Sequence, residues 1–291
     1  MSFPACPICV GPSGPGFVSG SYRMYACSTC RSAFVAPTPS DATLAEFYSN
    51  YHLSDDSGGM YDVLEARMQA DFPHKVAMVK NLLPAPRNGK PGTILDVGCG
   101  KGYFVKACVD AGLDAQGCDL SDTGVRFARE RLSIRATQGL ISDLKETLGQ
   151  FDVVTFWATI EHLPDPVGTL LDIASVIKPG GRLLMDTGIG ADWLDRLLPG
   201  RNQWYDPPQH LFVFSGPGLR AAAERAGFIV ESHDHNYTRS RRRAVLKTIR
   251  NAVLAGGLRA AATLGRMHLD GFIATRYPVG NVQLMVARKP G

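Results

Sequence analysis

An apolar run that meets three alternating glycines constrains the fold of this chain more than any other feature. The run covers residues 94–97, with Asp96 inside it, and the glycines are Gly98, Gly100 and Gly102. An apolar run, a glycine turn and an amphipathic segment in succession predict a buried strand, a tight turn and a helix. Glycine lets the backbone approach a ligand closely, and the first N–H groups of a helix attract a negative group. The stretch therefore predicts a ligand-binding turn at the end of a buried strand.

A glycine turn of this kind occurs in more than one class of nucleotide-binding protein. The nicotinamide-binding pattern G-x-G-x-x-G requires a glycine at position 103, where this chain has Tyr103. The stretch from Thr93 to Tyr103 instead resembles motif I of the class I S-adenosylmethionine-dependent methyltransferases. For each glycine, a plain turn without a ligand is the alternative.

Two later segments make this resemblance more specific. Residues 151–166 read FDVVTFWATIEHLPDP and residues 177–184 read IKPGGRLL, and both resemble the motifs after strands four and five of that family. The resemblance covers about residues 90–235 and a final strand near 282–288. It implies an α/β fold with a Rossmann-like, doubly wound, seven-stranded sheet whose last strand is antiparallel, and S-adenosylmethionine as the cofactor.

Local signals predict where several elements begin and end. Helices are expected after three capping residues: Ser121 for residues 122–131, Asp165 for residues 166–177 and Ser215 for residues 217–226. Lys178–Gly181 is expected to turn into the next strand, and Asn281–Arg288 to form the antiparallel edge strand. A helical segment from about residue 61, restarted at Pro73, carries an apolar stripe that includes Val76 and Val79.

The resemblance also implies which residues bind the cofactor. Asp119 lies 19 residues after Gly100 and ends the second predicted strand, where a carboxylate can accept both ribose hydroxyls. Helix capping is the alternative role for Asp119, although Ser121 is the better cap. The other implied contacts are Asp96, Gly98 and Gly100 at the methionine end, Leu120 against the adenine, Trp157 and Ala158 below the sulfonium, and Cys99, Tyr103, Phe104 and Leu140 elsewhere in the pocket.

Three residues are candidates for catalysis on the acceptor side. The stretch PPQHLFVFS at residues 207–215 resembles the P-x-H-L-x-x-F-S segment of small-molecule methyltransferases. Because an oxygen or carbon acceptor must lose a proton, His210 is our first candidate for the general base, and fixing the loop or orienting the substrate is its alternative role. Glu161 and His162 can support the loop, reach the substrate or bind a metal ion. Loop support is favoured, since an isolated Glu-His pair falls short of a ligand set.

Two C-x-x-C pairs near the N-terminus predict a metal site. Cys6 and Cys9 are separated by seventeen residues from Cys27 and Cys30. This spacing suits a tetrahedral Zn²⁺ bound by four thiolates, and a segment of about 35 residues needs the metal to fold. Four reduced structural cysteines, or a redox pair, are the alternatives.

These features suggest a three-part organisation. We expect a zinc ribbon at residues 1–38, a helical cap and linker at 39–90, and a methyltransferase domain at 91–291 with a basic helical insertion at 236–280. Tyr48, Tyr51 and His52 are expected to line the substrate pocket or to pack the cap. The basic run of the insertion can bind a phosphorylated or nucleotide-linked substrate or an anionic membrane surface, but a solvated face is the favoured interpretation.

Composition limits the classes of function that are expected for this chain. Net charge is only +4, and residues 1–50 carry two arginines and no lysine, so nucleic acid is not the expected ligand. The chain shows no signal-peptide pattern and no apolar run of about 20 residues that would span a bilayer. Seven cysteines without an export signal predict a cytoplasmic setting and no disulfide framework.

The sequence thus predicts an S-adenosylmethionine-dependent methyltransferase that acts on a small or carrier-linked acceptor, and it leaves a homodimer open. Two alternatives remain. One is an RNA base methyltransferase, although residues 158–161 read ATIE where an N/D-P-P-Y/F motif would stand. The other is a non-catalytic cofactor-binding protein that recruits a partner through the ribbon.

Overall fold

Two β-sheets organise this chain, and the smaller one contains a strand that comes late in the sequence. In the computed structural model the structure describes residues 3–40, 42–44, 46, 69–86, 89–193, 195, 204–235, 237, 249, 253 and 281–291. Within these ranges the strands are β1 Ser13–Ser19, β2 Tyr22–Cys27, β3 Ala33–Val35, β4 Thr93–Val97, β5 Asp114–Asp119, β6 Ala136–Gln138, β7 Phe151–Trp157, β8 Ile177–Ile189, β9 Phe212–Val213, β10 Ile229–Asp234 and β11 Asn281–Arg288.

The larger sheet has the predicted architecture. Within the described residues it contains seven strands in the order β10-β11-β8-β7-β4-β5-β6. Strands β4 to β8 run parallel to one another, and β11 pairs antiparallel with both β8 and β10. Along β4, Ile94 and Leu95 point into different apolar clusters, so both faces of the sheet are covered. The Rossmann-like, doubly wound, seven-stranded sheet with an antiparallel last strand is therefore confirmed.

One strand position was predicted wrongly. Asn281–Arg288 was expected at the edge of the sheet, but it lies between β8 and β10, and Ile229–Asp234 is the edge strand. The burial of the two strands explains the difference, because β11 is mostly buried whereas β10 is largely exposed.

The expected turn at Lys178–Gly181 is also wrong. Strand β8 already begins at Ile177, directly after a helix, and Ile177 pairs with Phe151 across a register shift. The backbone N–H of Gly180 donates to the carbonyl of Lys289, and Gly181 accepts from the N–H of Lys289. These pairings keep the glycine segment inside the ladder as an irregularity.

Six α-helices and one 3₁₀ turn are described. The helices are α1 Phe72–Leu82, α2 Tyr103–Asp110, α3 Asp122–Glu130, α4 Ile141–Leu148, α5 Pro166–Val176 and α6 Gly216–Arg225, and the 3₁₀ turn is Ile160–His162. The predicted capping residues Ser121, Asp165 and Ser215 each accept a backbone N–H three residues further on. The predicted boundaries differ from the observed ones by a residue or so; helix α6, for instance, was expected over residues 217–226 and is observed at Gly216–Arg225. None of the helices in the described part of the chain combines the length and apolar character needed to cross a bilayer.

The smaller sheet joins the N-terminal segment to a strand that follows β8 of the larger sheet in sequence. Its order is β1-β2-β3-β9, and β9 is the segment Phe212–Val213. Ala33 and Phe34 pair antiparallel with β9, and the N–H of Val35 donates to the carbonyl of Leu211 over 2.9 Å. The ribbon is therefore hydrogen-bonded to the residues that directly follow His210.

Candidate functional site

The glycine turn after β4 has the predicted open geometry. Gly98 and Gly100 have φ angles of 73° and 54°, in the left-handed region that favours glycine. A Cβ at Gly98 would lie 2.6 Å from the side chain of Thr159, whereas nothing lies within 4 Å of a Cβ at Gly100. The turn is thus closely packed on one side and open at Gly100, which fits the close approach of a ligand. The predicted helix after the turn is α2, which begins at Tyr103.

Asp119, the last residue of the neighbouring strand β5, stabilises the glycine turn by hydrogen bonds. Its Oδ2 accepts the N–H of Gly100 and its Oδ1 accepts the N–H of Ser121, both over 2.8 Å. Each carboxylate oxygen has a second lone pair, so both remain able to accept a hydroxyl. The residue therefore fits a ribose diol while it shapes the glycine turn.

Asp96 lies at the base of the same crevice. Its side chain is buried, and its Oδ1 accepts the hydroxyl of Thr155 over 2.6 Å. Burial raises the pKa of Asp96 to about 7, although the Thr155 hydrogen bond and the Lys75 ammonium oppose the shift. A buried carboxyl with this pKa retains a hydrogen-bonding role in either protonation state.

Among the remaining implied cofactor residues, two are exposed leucines and three are Trp157, Ala158 and Tyr103. Leu120 and Leu140 are 56% and 45% exposed, so their apolar side chains are accessible to a flat ring. Ala158 is exposed with a φ of 45°, Trp157 is buried beside it, and Tyr103 packs 5.7 Å from Phe127.

Two implied residues turn their side chains away from the crevice. Phe104 is buried between Phe72 and Trp157, with ring centroids 5.7 and 5.3 Å away. The sulfur of Cys99 faces Gly117, where a Cβ would come within 2.6 Å of it. Their side chains therefore support the pocket from the core, and only their backbones face the turn.

Lys75 in α1 is a residue of the site that no sequence motif indicated. Its side chain is 7% exposed, and its Nζ lies 2.9 Å from Oδ2 of Asp186 and 3.9 Å from the centre of the Trp157 ring. The other oxygen of Asp186 accepts the N–H of Ala158 over 2.8 Å. The signal for Lys75 was a charged residue within the apolar stripe of Phe72, Val76 and Val79, because a buried charge needs a partner.

Glu161, His162 and His210, which we call the acceptor-side triad, meet after the end of β7. The ligand atoms of the three residues all lie within 4.8 Å of one another, and the two imidazole centroids are 4.9 Å apart. The N–H of Leu211 donates to the carbonyl of Glu161 over 2.8 Å. This bond brings the segment at residues 207–215, which is expected to face the acceptor, beside the loop that follows β7.

Both histidines of the triad are oriented by backbone carbonyls. Nδ1 of His210 lies 2.9 Å from the carbonyl of Trp204, and Nδ1 of His162 lies 2.5 Å from the carbonyl of Gln209. Since a carbonyl only accepts, Nδ1 of His210 carries the hydrogen and Nε2 has the lone pair.

Burial is the main cause of the pKa shifts of the three ionisable groups in the triad. Burial, reinforced by His162, lowers the pKa of His210 to about 3. Burial also lowers the pKa of His162, although the carbonyls of Gln209 and Ala158 favour its charged form. Burial raises the pKa of Glu161 to about 8. Neutral imidazoles are the form that accepts a proton or binds a metal ion.

The four N-terminal cysteines converge as the C-x-x-C spacing predicts. The Sγ atoms of Cys6 and Cys30 are 3.7 Å apart, those of Cys9 and Cys27 are 3.4 Å apart, and all four lie within 4.8 Å of one another. A tetrahedral Zn²⁺ with bonds of about 2.3 Å separates its sulfurs by about 3.8 Å. The cluster therefore fits four-thiolate coordination.

Two predicted regions lie outside the described residues. They are the cap residues Tyr48, Tyr51 and His52 and nearly all of the basic insertion at 236–280. Their assignments to a substrate pocket and to a solvated basic face stay predictions.

Comparisons with known proteins agree with this geometry. A family model described as a methyltransferase domain matches residues 68–233, which is more than half of the chain. A curated relative, the ubiquinone biosynthesis O-methyltransferase of Bordetella avium strain 197N, is 33% identical over 153 residues, which cover 46% of this chain and 61% of that protein. The chain thus matches about three fifths of the length of this relative.

Solved structures share the fold at low sequence identity. Magnesium protoporphyrin IX methyltransferase from Synechocystis, with bound SAH, has a TM-score of 0.53 and 15% identity, over 86% of this chain and all of that one. The [4+2]-cyclase SpnF has a TM-score of 0.52 and 19% identity, over 85% of this chain and 93% of that one. A cyclase among these neighbours illustrates that the fold alone does not fix the reaction. The match to the family model, the sheet order and the glycine turn together establish that the chain belongs to the class I S-adenosylmethionine-dependent methyltransferases.

Proposed function

We propose that this protein transfers the methyl group of S-adenosylmethionine to an oxygen or carbon atom of a small or carrier-linked acceptor. The observation that carries the proposal is that the glycine turn, Asp119 and the pair Glu161–His162 lie at the carboxyl ends of the parallel strands β4, β5 and β7 of one sheet, with His210 held beside that pair. Open α/β sheets bind their ligands at that edge. The relatives named as ubiquinone biosynthesis O-methyltransferases favour an oxygen atom as the acceptor.

The donor side of the proposed pocket is built by the ends of β4, β5 and β7. Asp119 would accept the ribose hydroxyls, and Gly98 and Gly100 would allow close approach of the methionine end. Trp157, held under the Lys75 ammonium, and Ala158 would lie below the sulfonium. When bound, S-adenosylmethionine supplies an electrophilic methyl carbon on a positively charged sulfur.

The acceptor side would align a nucleophile and help it to lose its proton. Holding an acceptor in line with the methyl–sulfur bond can contribute about 7–11 kcal/mol of barrier lowering. Nε2 of His210 has its lone pair available, so His210 remains our first candidate for the base. A positioned base typically contributes about 10²–10⁴ in rate. Glu161 and His162 would orient His210 or contact the acceptor.

We further propose that Cys6, Cys9, Cys27 and Cys30 bind one Zn²⁺ with a structural role. Four converging thiols in a segment too short to bury a core of its own support this proposal. The metal would stabilise β1–β3, and β3 pairs with β9 directly after His210. A cytoplasmic location and a homodimeric state stay predictions.

The proposal is tested with the zinc-replete full chain and its His210→Ala variant. A panel of phenols, catechols and carrier-linked sugars is incubated with S-adenosylmethionine, and methylated products are identified by mass. For an acceptor that reacts, His210→Ala should reduce kcat by about 10²–10⁴, the usual contribution of a positioned base. Affinity for S-adenosylhomocysteine should change less than threefold. Undiminished turnover in His210→Ala would refute the role of His210.

A further inference from the structure

A cleft of about 340 Å³ lies between the ribbon and the larger sheet, and its described lining contains none of the three triad residues. The lining comes from Arg31 directly after the second C-x-x-C pair, from the segment that follows β8, from the start of α6 and from the upper ends of β10 and β11. Strands β8 and β10 end at this edge of the sheet and β11 begins there. Open α/β sheets bind ligands at that edge, and a volume of this size holds a small organic group.

Two side chains of the cleft have hydrogen-bond donors to spare. Arg31 is exposed, its Nη2 donates to the carbonyl of Ala191 over 3.4 Å, and its guanidinium forms no ion pair with a described carboxylate. Most of its five N–H donors are therefore available. His235 likewise has no hydrogen-bond partner for its ring among the described residues, and a Cβ at Gly216 would lie 2.8 Å from that ring. The imidazole therefore lies against the start of α6, on the wall of the cleft.

These donors suit an oxyanion. A guanidinium binds the oxygens of a phosphate or carboxylate through parallel N–H bonds, and such charge-assisted bonds are about twice as strong as neutral ones. The cleft also contains Asp192, whose negative charge opposes an anion. Its Oδ2 accepts the side-chain amide of Asn281 over 2.6 Å, and its Oδ1 accepts the N–H of Asp195 over 3.2 Å. These donors offset part of the charge, so Asp192 opposes an anion less than a bare carboxylate would.

A short segment connects the cleft to His210. Ser215 lines the cleft, and the carbonyl of Phe214 accepts the N–H of Gly190 over 2.8 Å at the end of β8. Since five residues of fully extended chain span at most about 18 Å, the Cα atoms of His210 and Ser215 lie within that distance of each other. An acceptor whose reacting atom lies at His210 can therefore reach the cleft with a part of comparable length.

We propose that Arg31 and His235 bind a phosphate or carboxylate group of the acceptor, away from the atom that is methylated. The inference rests on the proposed function where it assigns this group to the acceptor; the binding of an anion in the cleft does not depend on it. It narrows the acceptor to an anionic compound, or one linked to an anionic carrier. It also gives the ribbon a direct part in recognition, because Arg31 follows the proposed zinc ligand Cys30.

The test is calorimetry with inorganic pyrophosphate on the zinc-replete full chain, in the presence of S-adenosylhomocysteine to keep the probe out of the donor pocket. We expect saturable binding to a single site. Arg31→Gln should weaken it at least about tenfold, because hydrogen bonds to charged groups are the strong ones. The matched control Arg23→Gln removes the other arginine of the ribbon, which is exposed on β2 outside the described lining. It should change the affinity less than about twofold, because salt screens distant exposed charges.

A second probe separates the two kinds of anionic group. Malonate offers carboxylates in place of phosphates, and the tighter of the two probes indicates which group the acceptor carries. Pyrophosphate bound elsewhere, such as on the basic run at residues 239–250, would be insensitive to Arg31→Gln. Absence of saturable binding for both probes, unchanged binding by Arg31→Gln, or equal losses in Arg31→Gln and Arg23→Gln would overturn the site.

Kinetics tests whether the anion belongs to the acceptor. For an anionic acceptor that reacts in the product screen, Arg31→Gln should raise KM at least about tenfold and leave kcat within about threefold, because the subsite binds the ground state and the transition state equally. A fall in kcat without a rise in KM would indicate a structural role and contradict the assignment.

Calorimetry with S-adenosylhomocysteine on the same samples reports folding and the donor pocket. Wild-type protein that binds S-adenosylhomocysteine but no anion through Arg31 overturns the subsite and leaves the proposed function standing. Wild-type protein that binds pyrophosphate through Arg31 but not S-adenosylhomocysteine supports the anion site and contradicts the proposed function. If Arg31→Gln loses zinc or fails to fold, His235→Gln replaces it, with a weaker affinity expected and unchanged binding again overturning the site.

Discussion

Leu211 donates its backbone N–H to the carbonyl of Glu161 over 2.8 Å and accepts the N–H of Val35 over 2.9 Å. One residue therefore joins the ribbon strand to the loop that carries the catalytic candidates. His210 precedes this junction, so its position depends on both contacts. The ribbon is expected to matter for the acceptor side more than for the donor side, because the glycine turn and Asp119 lie in the larger sheet.

Removal of one of the four proposed zinc ligands should impair turnover more than cofactor binding. Cys30→Ser removes one thiolate. The backbone carbonyl of the same residue accepts the hydroxyl of Ser215, so loss of the metal should loosen the ribbon from that helix cap. Zinc content should fall, and turnover should drop roughly tenfold or more, as for other losses of metal support. S-adenosylhomocysteine affinity, measured by calorimetry, should change less than about fivefold. The control Ser28→Ala alters an exposed ribbon hydrogen bond, and equal losses in both variants would argue against the zinc role.

Gly218→Ala should separate the ribbon from α6. A Cβ at Gly218 would collide with the hydroxyl of Ser32, whose oxygen accepts the N–H of Ser215 over 3.0 Å. Overpacking of this kind costs about 1–3 kcal/mol, measured by chemical denaturation. Gly14→Ala is the matched control, because nothing lies within 4 Å of its Cβ, and its effect should stay within about 0.5 kcal/mol. A neutral Gly218→Ala would show that the ribbon does not pack there.

Lys75→Met should destabilise the protein strongly. It leaves Asp186 as a buried carboxylate without its ammonium partner, and breaking a buried pair typically costs about 3–5 kcal/mol. Lys80→Met, an exposed lysine in the last turn of the same helix, should change the free energy of unfolding by less than about 0.5 kcal/mol. Denaturant melts of the two variants measure the difference. Similar stabilities would mean that the Lys75–Asp186 pair contributes little to the fold.

Much of the fold was predictable because its signals are local. The capping residues Ser121, Asp165 and Ser215 act within three residues of themselves, and the glycine turn combines strand, turn and helix signals in a short stretch. Strand β9 was not foreseen, because two residues carry no periodicity and its partner β3 lies far away in the sequence. The edge position of Asn281–Arg288 failed for the same reason, since strand order depends on tertiary pairing.

In the candidate site, too, local motifs identified individual residues, whereas contacts between distant segments could not be predicted. Glu161, His162 and His210 were each identified from their motifs, but their convergence required the Leu211–Glu161 hydrogen bond, which no local pattern encodes. The pair Glu161–His162 alone did not suggest a ligand set; the addition of His210 does. Lys75 was overlooked because its partner Asp186 lies on a distant strand. Only the contact between Lys75 in α1 and Asp186 in β8 shows why a lysine occupies an apolar stripe.

The most direct test of the account is calorimetric titration of the zinc-replete protein with S-adenosylhomocysteine, in parallel with Asp119→Ala. We expect about one molecule bound per chain with a Kd in the range of roughly 1–100 µM. Asp119→Ala should weaken binding at least about tenfold, because hydrogen bonds to a charged group are worth about 1.5–3 kcal/mol. The control Asp122→Ala, an exposed neighbour paired with Arg126, should bind as the wild type does. Absence of binding by the wild type, or unchanged binding by Asp119→Ala, would contradict the central claim.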